Sequence, residues 1–389
     1  MTGATVALIG ANGHGRHHRR QLAALPGVRL VALADTGPVD PDPPIPSGTP
    51  VFTDHARMLA SAEPDIVIVC TPPHTHLPIA ADALRAGADV LLEKPPVRTL
   101  AEHRALAEVV RETGRACQVG FQALGSHAAA RLWEAVAGQK VTTIAAVASW
   151  RRDDAYYARS PWAGRRRLDG RPVIDGALVN PLAHAVMQAL ETARAAGAGA
   201  LEQVEIERYR TRDIEVDDTA FARLTFAGGL RVVAAVTLAG EDFIAGEIVV
   251  DGPGGRAVLE YPTDRLALPG SLPPPVAGGG PLLPPGTGTV SGRTGLLENL
   301  LAHRADRGVP LIAPLPRTEV FTAVLETLTA PDVPPPVLLG PRHADVRDDG
   351  VRVIRGINAV LRESAETLRL PSEFQVPWAR PGFRRPPAR

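Results

Sequence analysis

Positions 5–15 decide the fold, and they read TVALIGANGHG. A short apolar segment comes first, and the turn after it has glycine at positions 10, 13 and 15. Glycines let the backbone approach a pyrophosphate, and a helix that starts there offers N–H donors and a positive dipole end. The stretch therefore predicts a strand, a phosphate-binding turn made by Gly10, Asn12, Gly13, His14 and Gly15, and a helix.

The turn departs from the usual G-x-G-x-x-G spacing at its third place, which is Asn12. Asparagine tolerates the left-handed backbone region better than most residues, so we expect the turn to keep its shape. Asp35 ends the second predicted strand. An acid there accepts hydrogen bonds from a ribose diol and repels a 2′-phosphate, which favours NAD over NADP. The alternative is a tight turn followed by a solvated loop aspartate.

Outward from the turn, short apolar segments alternate with helical ones up to about residue 119. This alternation predicts an α/β domain with a parallel sheet covered on both faces. From about residue 141, consecutive strands with glycine-rich turns predict a mostly antiparallel sheet. We therefore expect two domains, a dinucleotide-binding domain at 1–122 and an α+β substrate domain at 123–389.

Composition excludes several classes of protein. The chain has 389 residues, with 42 Lys+Arg and 42 Asp+Glu, and 45% of its residues are hydrophobic. A neutral, globular composition argues against disorder and against nucleic acid as a partner. No run is long and apolar enough to predict a membrane span, and the first residues resemble a strand more than a signal peptide, so we expect a cytoplasmic protein. Cys70 and Cys117 are expected to be buried and unpaired.

Only two of the basic residues are lysines, Lys94 and Lys140. Lys94 belongs to EKPP at 93–96, and CTPPHTH at 70–76 ends the preceding apolar segment. Both motifs follow predicted strands, where open α/β sheets bind ligands. A lysine amine can give or take a proton, whereas guanidinium stays charged, so Lys94 is a candidate catalytic and substrate-binding residue. The alternative is chance, since Lys140 lies in a plain turn. Further candidates for cofactor binding are Thr71, Pro72, His74, His76, Glu93, Lys94 and Gln122.

A second candidate region begins the predicted helix at 176–193. Asn180 and His184 are four residues apart, which would place them on one helix face. Imidazole titrates near neutral pH, so His184 is a candidate base, whereas an amide such as Asn180 orients a hydroxyl without taking its proton. Asp175 precedes them as a substrate-binding candidate. The alternative for His184 is a packed structural histidine.

Arginines and aromatic residues alternate at 151–167. Aromatic faces and guanidinium groups suit sugar rings and carboxylates, so Arg151, Tyr156, Tyr157 and Trp162 are further substrate-binding candidates. A solvated basic loop and a dimer contact are the alternatives. The histidines near positions 14–18 and 74–76 lack a matching set of acidic or thiolate ligands, so no metal site is predicted.

The motifs IGANGHG, ALAD, DIVIVCTPPHTH, LLEKPP and VGF occur in this order, and together they resemble the Gfo/Idh/MocA oxidoreductase family. The resemblance implies a Rossmann domain followed by a domain with an open, mostly antiparallel sheet, and it implies NAD or NADP. It further implies hydride transfer at a hydroxyl-bearing carbon of a sugar, polyol or related compound, with Lys94 catalytic. In this family an aspartate usually precedes the histidine at this spacing, so Asn180 is a departure.

Two other functions are compatible with these motifs. Bound NAD can support elimination or glycoside cleavage through transient oxidation, and a dinucleotide-binding sensor would not react at all. The expected partner is a small sugar-like molecule. A homo-oligomer, dimer or tetramer, formed through an exposed face of the C-terminal sheet, is also expected.

Overall fold

The structure is a computed structural model that describes residues 3–270, 282–283 and 286–387. Its helices are α1 (Gly15–Ala24), α2 (His55–Ala62), α3 (His76–Arg85), α4 (Leu100–Thr113), α5 (His127–Val136), α6 (Asp154–Ala158), α7 (Ala183–Ala195), α8 (Leu296–Ala305), α9 (Glu319–Thr329) and α10 (Ile357–Thr367). Its first strands are β1 (Ala4–Ile9), β2 (Val28–Ala34), β3 (Val51–Phe52), β4 (Ile66–Val69), β5 (Asp89–Leu92), β6 (Cys117–Val119), β7 (Thr143–Arg151), β8 (Arg167–Leu168), β9 (Arg171–Pro172) and β10 (Leu201–Arg210). The remaining strands are β11 (Thr219–Phe226), β12 (Arg231–Thr237), β13 (Ala239–Gly252), β14 (Gly255–Glu260), β15 (Arg265–Ala267), β16 (Val337–Leu338), β17 (Ala344–Val346), β18 (Arg352–Ile354) and β19 (Phe383–Arg385).

The chain divides into two compact units. One comprises the chain up to Gln122 together with Thr294–Thr322, and the other comprises Ala123–Arg293 and the chain from Ala323 onward. The domain boundary placed at residue 122 from the sequence treats each domain as one continuous segment. The contacts instead group Thr294–Thr322 with the first unit.

The first unit contains a parallel sheet whose strand order, among the described residues, is β3-β2-β1-β4-β5-β6. All of its neighbouring strands are parallel. The order reverses between β1 and β4, and such a reversal opens a crevice at the carboxyl ends of the strands. β4 and β5 are buried at every position, as expected for strands covered on both faces. The predicted Rossmann fold class is confirmed.

The segment Thr294–Thr322 joins the first unit through specific polar contacts. Arg304 donates to Asp89 at 3.0 Å, and Arg307 also bonds Asp89, whose side chain is fully buried at the start of β5. The Gln118 side chain bonds the Leu296 carbonyl. These bonds explain why Thr294–Thr322 belongs with the parallel sheet.

The second unit contains a mixed sheet in the order β15-β14-β13-β7-β12-β11-β10-β16, with β19 pairing with β10. In the described ranges, its parallel pairs are β7 with β12 and β10 with β16, and its other pairs are antiparallel. This confirms the predicted open, mostly antiparallel sheet.

Both faces of the central strands of this sheet are covered. Phe221 of β11 and Val233 of β12 belong to a core that includes Ile357 and Leu361 of α10. The next residues along these strands point to the opposite face and are also buried, and α7 packs against β7, β12 and β13. The exposed sheet face on which the expected homo-oligomer depended is therefore not present in these strands. Oligomerisation stays a prediction.

Two expectations concern other segments. The segment 269–292 is rich in glycine and proline, which predicts a loop, and it lies mostly outside the described residues. Among the described helices, none is both long and apolar enough to cross a membrane.

Candidate functional site

The glycine turn follows β1 and leads into α1. Gly10 has a φ of +86°, and a Cβ placed on it would lie 2.3 Å from the Cys70 carbonyl oxygen. A Cβ on Gly15 would lie 1.9 Å from the Gly10 carbonyl oxygen. Both positions therefore require glycine for the close approach of one backbone segment to another, as the sequence pattern predicted.

Asn12 does not occupy the left-handed region that the sequence analysis allowed for it. Gly13 takes that conformation instead, with a φ of +54°. The Asn12 side chain bonds the loop after β2, where its Nδ2 donates to the Pro38 carbonyl at 3.0 Å and its Oδ1 accepts from the Asp40 N–H at 2.8 Å. The asparagine thus ties the turn to the loop because an amide can both donate and accept.

Asp35 lies directly beside the turn. Its carboxylate accepts from the backbone N–H groups of Ala11 at 2.9 Å, Asn12 at 3.2 Å and Gly37 at 3.1 Å. These bonds fix the carboxylate at the end of β2, next to the turn. The structure therefore brings together two features that lie more than twenty residues apart in the sequence.

Glu93 is bonded to two histidines of the turn and α1. His18 Nε2 lies 2.9 Å from Glu93 Oε1, and His14 Nε2 lies 3.5 Å from the same oxygen. Burial opposes ionisation of Glu93, but the hydrogen bonds from His14 and His18 outweigh it and hold the pKa of Glu93 well below its usual range. The hydrogen bond to Glu93 also raises the pKa of His14. The site therefore holds a firmly ionised carboxylate next to Lys94.

His14, His18 and Glu93 also place one ligand atom each within 4.8 Å of one another, so these three could hold a metal ion. The hydrogen bonds between them explain the same arrangement without an ion. The absence of a metal site stays a prediction.

Lys94 and the motif at 70–76 lie at the carboxyl ends of neighbouring strands, β5 and β4. The Lys94 N–H donates to Glu93 Oε2 at 3.2 Å, and the Lys94–Pro95 peptide bond is cis. The buried His76 ring lies between the Thr71 carbonyl at 2.7 Å and the Pro95 carbonyl at 2.9 Å. Through His76, the two motifs that the sequence singled out are joined.

The remaining cofactor-binding candidates of the first unit lie on short helical turns. Pro72 precedes the turn Pro73–Thr75, which contains His74, and Gln122 begins the turn Gln122–Gly125 with its side chain exposed. Their roles stay predictions.

In the second unit, the helix predicted from residue 176 begins only at Ala183. Asn180 lies in the turns before it, so the expected placement of Asn180 and His184 on one helix face is wrong. Pro181 has no N–H to donate and disfavours helical geometry at the residue before it. The proline was visible in the sequence and could have corrected the prediction. His184 lies in the first turn of α7.

Asp175 connects Asn180 to the arginine-rich segment. Its Oδ1 accepts from Asn180 Nδ2 at 3.0 Å, and its Oδ2 accepts from the Gly164 N–H at 2.7 Å. Asp175 is buried, and its bond to Gly164 is shielded from water, whereas its bond to the half-buried Asn180 is only partly so. The structure brings Asp175 and Asn180 into direct contact.

Asp217 is a polar residue of this region that was not among the candidates selected from the sequence. It is buried, and its Oδ2 accepts from the Ala177 N–H at 2.9 Å. Burial raises the pKa of Asp217 to about 6. A Cβ on Gly176 would lie 3.0 Å from its carboxylate, so Asp217 packs directly under the turn that carries Asn180.

The aromatic candidates stack with arginines. Tyr156 and Tyr157 meet edge to face, with ring centroids 5.0 Å apart. The Arg159 guanidinium lies 3.7 Å from the Tyr156 ring centroid and 4.7 Å from that of Trp162. Arg151 Nε instead bonds the Gly240 carbonyl at 3.0 Å. Arg159 was not among the residues selected from the sequence, although its spacing of three residues from Tyr156 was a signal.

A family model described as an oxidoreductase family with an NAD-binding Rossmann fold, Gfo/Idh/MocA, matches residues 4–121. Residues 4–121 are therefore similar to the NAD-binding domain of the Gfo/Idh/MocA family. The resemblance drawn from the motifs is confirmed, and NAD, the predicted cofactor, is the one that the family description names.

Curated relatives match the same region. The chain is 32% identical over 118 residues to scyllo-inositol 2-dehydrogenase (NAD(+)) of Bacillus subtilis (strain 168), which covers 30% of this chain and 34% of that protein. It is 34% identical over 115 residues to inositol 2-dehydrogenase of Rhizobium meliloti (strain 1021), covering 29% and 34% of the two chains. The match thus spans about a third of the length of these relatives.

A solved structure matches more of the chain. The WlbA dehydrogenase from Bordetella pertussis, determined in complex with NADH and UDP-GlcNAcA, has a TM-score of 0.65 and 19% identity, covering 85% of this chain and 97% of that one. This likeness shows the fold.

Proposed function

We propose that the chain is an NAD-dependent oxidoreductase that moves hydride between nicotinamide and a secondary-alcohol carbon of a sugar, polyol or related compound. One observation carries the proposal. In a domain of an NAD-binding family, the glycine turn, Asp35 and Lys94 all follow the carboxyl ends of strands of one parallel sheet. That edge is where such sheets bind dinucleotides.

The residues of the turn fit the cofactor. Gly10 and Gly15 keep the turn free of side-chain atoms where it packs most closely, and the positive dipole end at the start of α1 would attract a pyrophosphate. Asp35 is fixed where it would accept hydrogen bonds from the ribose hydroxyls, which favours NAD over NADP. When bound, NAD would supply the hydride acceptor.

Lys94 would bind the reacting oxygen of the substrate and assist its proton transfer. An ammonium group can donate a hydrogen bond and exchange a proton, which a guanidinium does not do. The ionised Glu93 lies next to it in the sequence and bonds its backbone N–H, which supports the local backbone.

In the second unit, His184 would act as the base or proton shuttle, and Asn180 would orient the substrate hydroxyl. The Asp175 carboxylate holds the Asn180 amide by its Nδ2 group. An amide cannot take a proton, so the proposal routes proton transfer through Lys94 and His184. The names of the inositol dehydrogenase relatives support a polyol or sugar as the substrate.

The test combines a substrate panel with lysine variants. NAD⁺ is expected to raise the melting temperature more than NADP⁺, and at least one sugar or polyol should then yield NADH. In Lys94→Met, kcat for that substrate should fall roughly 10²- to 10⁴-fold, the range of general acid–base catalysis. Lys94→Arg should also lose most activity, whereas the exposed Lys140→Met should keep it.

Undiminished turnover by Lys94→Met would contradict the mechanism. Conversion of a sugar without NADH release would instead identify elimination or glycoside cleavage. NAD binding without any conversion across the panel would identify a sensor.

A further inference from the structure

A ladder of stacked side chains runs through the arginine-rich segment of the second unit. The arginine ladder consists of Trp150, Arg152, Tyr156, Arg159 and Trp162. The Arg152 guanidinium lies 4.9 Å from the Trp150 ring centroid and 5.0 Å from that of Tyr156, and Arg159 continues the stack between Tyr156 and Trp162. Stacking occupies the faces of a guanidinium and leaves its N–H edges available.

The two arginines of the ladder are not neutralised by a carboxylate. Among the described residues, neither Arg152 nor Arg159 forms an ion pair. Their Nη1 groups donate to backbone carbonyls, Arg152 to Arg151 at 2.8 Å and Arg159 to Tyr156 at 2.5 Å. Arg152 also forms a side-chain hydrogen bond with Tyr156. A guanidinium has five N–H donors, so each group has donors beyond these bonds.

Neighbouring arginines show the opposite arrangement. Arg165 pairs with Glu215 at 3.2 Å, and the buried Arg212 pairs with Asp154 at 2.8 Å while it stacks on Tyr157. Residues 151–167 contain six arginines and two aspartates, in a chain whose net charge is zero. Positive charge is therefore concentrated on this segment, and on the ladder it is not balanced by a carboxylate.

The ladder is joined to the proposed substrate-binding residues of the same unit. Asp175 bonds both Gly164, two residues after Trp162, and Asn180. The Tyr157 ring, which meets Tyr156, lies beside Gly164, where a Cβ would be 3.4 Å from the ring. A rigid chain of contacts thus runs from the ladder to the turn that precedes His184.

We propose that the arginine ladder binds an anionic group, a carboxylate or a phosphate, on the sugar-like substrate. This inference rests on the proposed function, because it assigns a substrate class to the same unit. The edge of a guanidinium matches the paired oxygens of such a group, and the aromatic faces suit a sugar ring next to it. The patch is too small for nucleic acid, which requires an extended basic surface.

The experiment uses three matched sugar series with the NAD⁺-loaded protein. Each series contains a neutral hexose, its uronate and its 6-phosphate, for glucose, galactose and mannose. Binding is measured by the shift in melting temperature across a concentration series, and turnover is measured by NADH formation. In at least one series an anionic member should bind roughly tenfold or more tightly than its neutral parent, as expected for a charge-assisted hydrogen bond.

Substitutions in the ladder test whether its arginines cause the preference for the anionic sugar. Arg152→Met and Arg159→Met should abolish the preference for the anion, and Arg159→Lys should keep only part of it because the planar fork is lost. Arg165→Met is the matched control, since its charge is already paired, and should keep the preference. Circular dichroism spectra establish that each variant folds.

The outcomes separate the two proposals. Equal or weaker binding of every anionic member, or an equal loss in Arg165→Met, overturns the anion site, even if neutral sugars yield NADH. A ladder-dependent preference for the anion without NADH formation supports the site and contradicts the oxidoreductase. The uronate and phosphate arms show which anionic group is bound.

Discussion

The glycine turn and the arginine ladder are held in place by different forces. In the turn, backbone meets backbone so closely that a single added methyl group would collide, as at Gly10 and Gly15. In the ladder, side chains hold each other by stacking, and Asp175 holds the neighbouring backbone by accepting from the Gly164 N–H. The conformation of the turn therefore depends on positions without side-chain atoms, whereas that of the ladder depends on stacking and hydrogen-bonding partners.

The largest loss of stability is expected from a substitution in the glycine turn. Gly10→Ala adds a Cβ against the Cys70 carbonyl at a φ of +86°, so both overpacking and backbone strain apply. We expect a loss of more than about 3 kcal/mol in the free energy of unfolding, together with loss of NAD⁺ binding. Thermal and denaturant unfolding with and without NAD⁺ measure both.

Gly13→Ala is the matched control for that variant. It has a positive φ of +54°, but a Cβ there would meet nothing within 4 Å. Only the conformational cost of about 1–2 kcal/mol remains. Equal destabilisation by the two variants would show that the close approach at Gly10 is not what specifies the turn.

A smaller loss of stability is expected from a substitution at Asp175, beside the ladder. Asp175→Asn leaves two donors, the buried Gly164 N–H and the half-buried Asn180 Nδ2, facing a side chain with one acceptor oxygen. Leaving a donor unsatisfied should cost about 1–3 kcal/mol in the free energy of unfolding, and kcat should fall because Asn180 loses its support. Thermal melting and steady-state kinetics check this.

Asp213→Asn is the control in the same unit, because Asp213 is exposed and bonds Arg210 only at the surface. It should leave both quantities unchanged. If Asp175→Asn melts like the unmodified protein, the hydrogen bonds of Asp175 do not hold the ladder to the Asn180 turn.

The smallest change in stability is expected from substituting the histidines at the glycine turn, and this change depends on pH. The bond to Glu93 raises the pKa of His14, so its stabilising contribution is present below the usual histidine pKa of about 6.5 and is lost as pH rises through the folded pKa. The side chain is 52% exposed, so His14→Ala should cost less than about 1 kcal/mol at pH 5.5 and less again at pH 8.5.

The stability change caused by His17→Ala should depend on pH in the opposite direction. Burial and the neighbouring His14 and His18 lower the pKa of His17, so protonating it below the usual histidine pKa opposes folding. This variant should gain stability relative to the unmodified protein as pH falls. Unfolding curves at several pH values measure both variants, and the same pH dependence in each would refute the assignment.

Much of the first unit could be predicted from the sequence. The alternation of short strands and helices up to Val119 was predicted, because apolar runs and glycine breaks are local signals. No separate prediction was made for Val51–Phe52 and His55–Ala62, because a two-residue strand after a proline-rich loop has no period of its own. Asp54 caps the missed helix by accepting from the Arg57 N–H, a signal present in the sequence.

The second unit was less predictable at its site. Asn180 was expected on a helix because its spacing from His184 fits a helical turn, whereas Pro181 moves the start of the helix to Ala183. The bond between Asn180 and Asp175 depends on how an irregular turn folds, which no periodic pattern encodes.

The sequence by itself determined the glycine turn after β1, the similarity of residues 4–121 to the Gfo/Idh/MocA family and the selection of Lys94 as a candidate, because these follow from residue types at short, fixed spacings. The tertiary structure alone decided that Thr294–Thr322 returns to the first unit and that both faces of the central strands of the second sheet are covered. It also decided that, within the described part of the chain, Arg165 has a carboxylate partner whereas Arg152 and Arg159 have none. These features depend on contacts between residues distant in the chain. Burial and charge pairing are properties of the packed molecule, so they cannot be predicted from local sequence propensity.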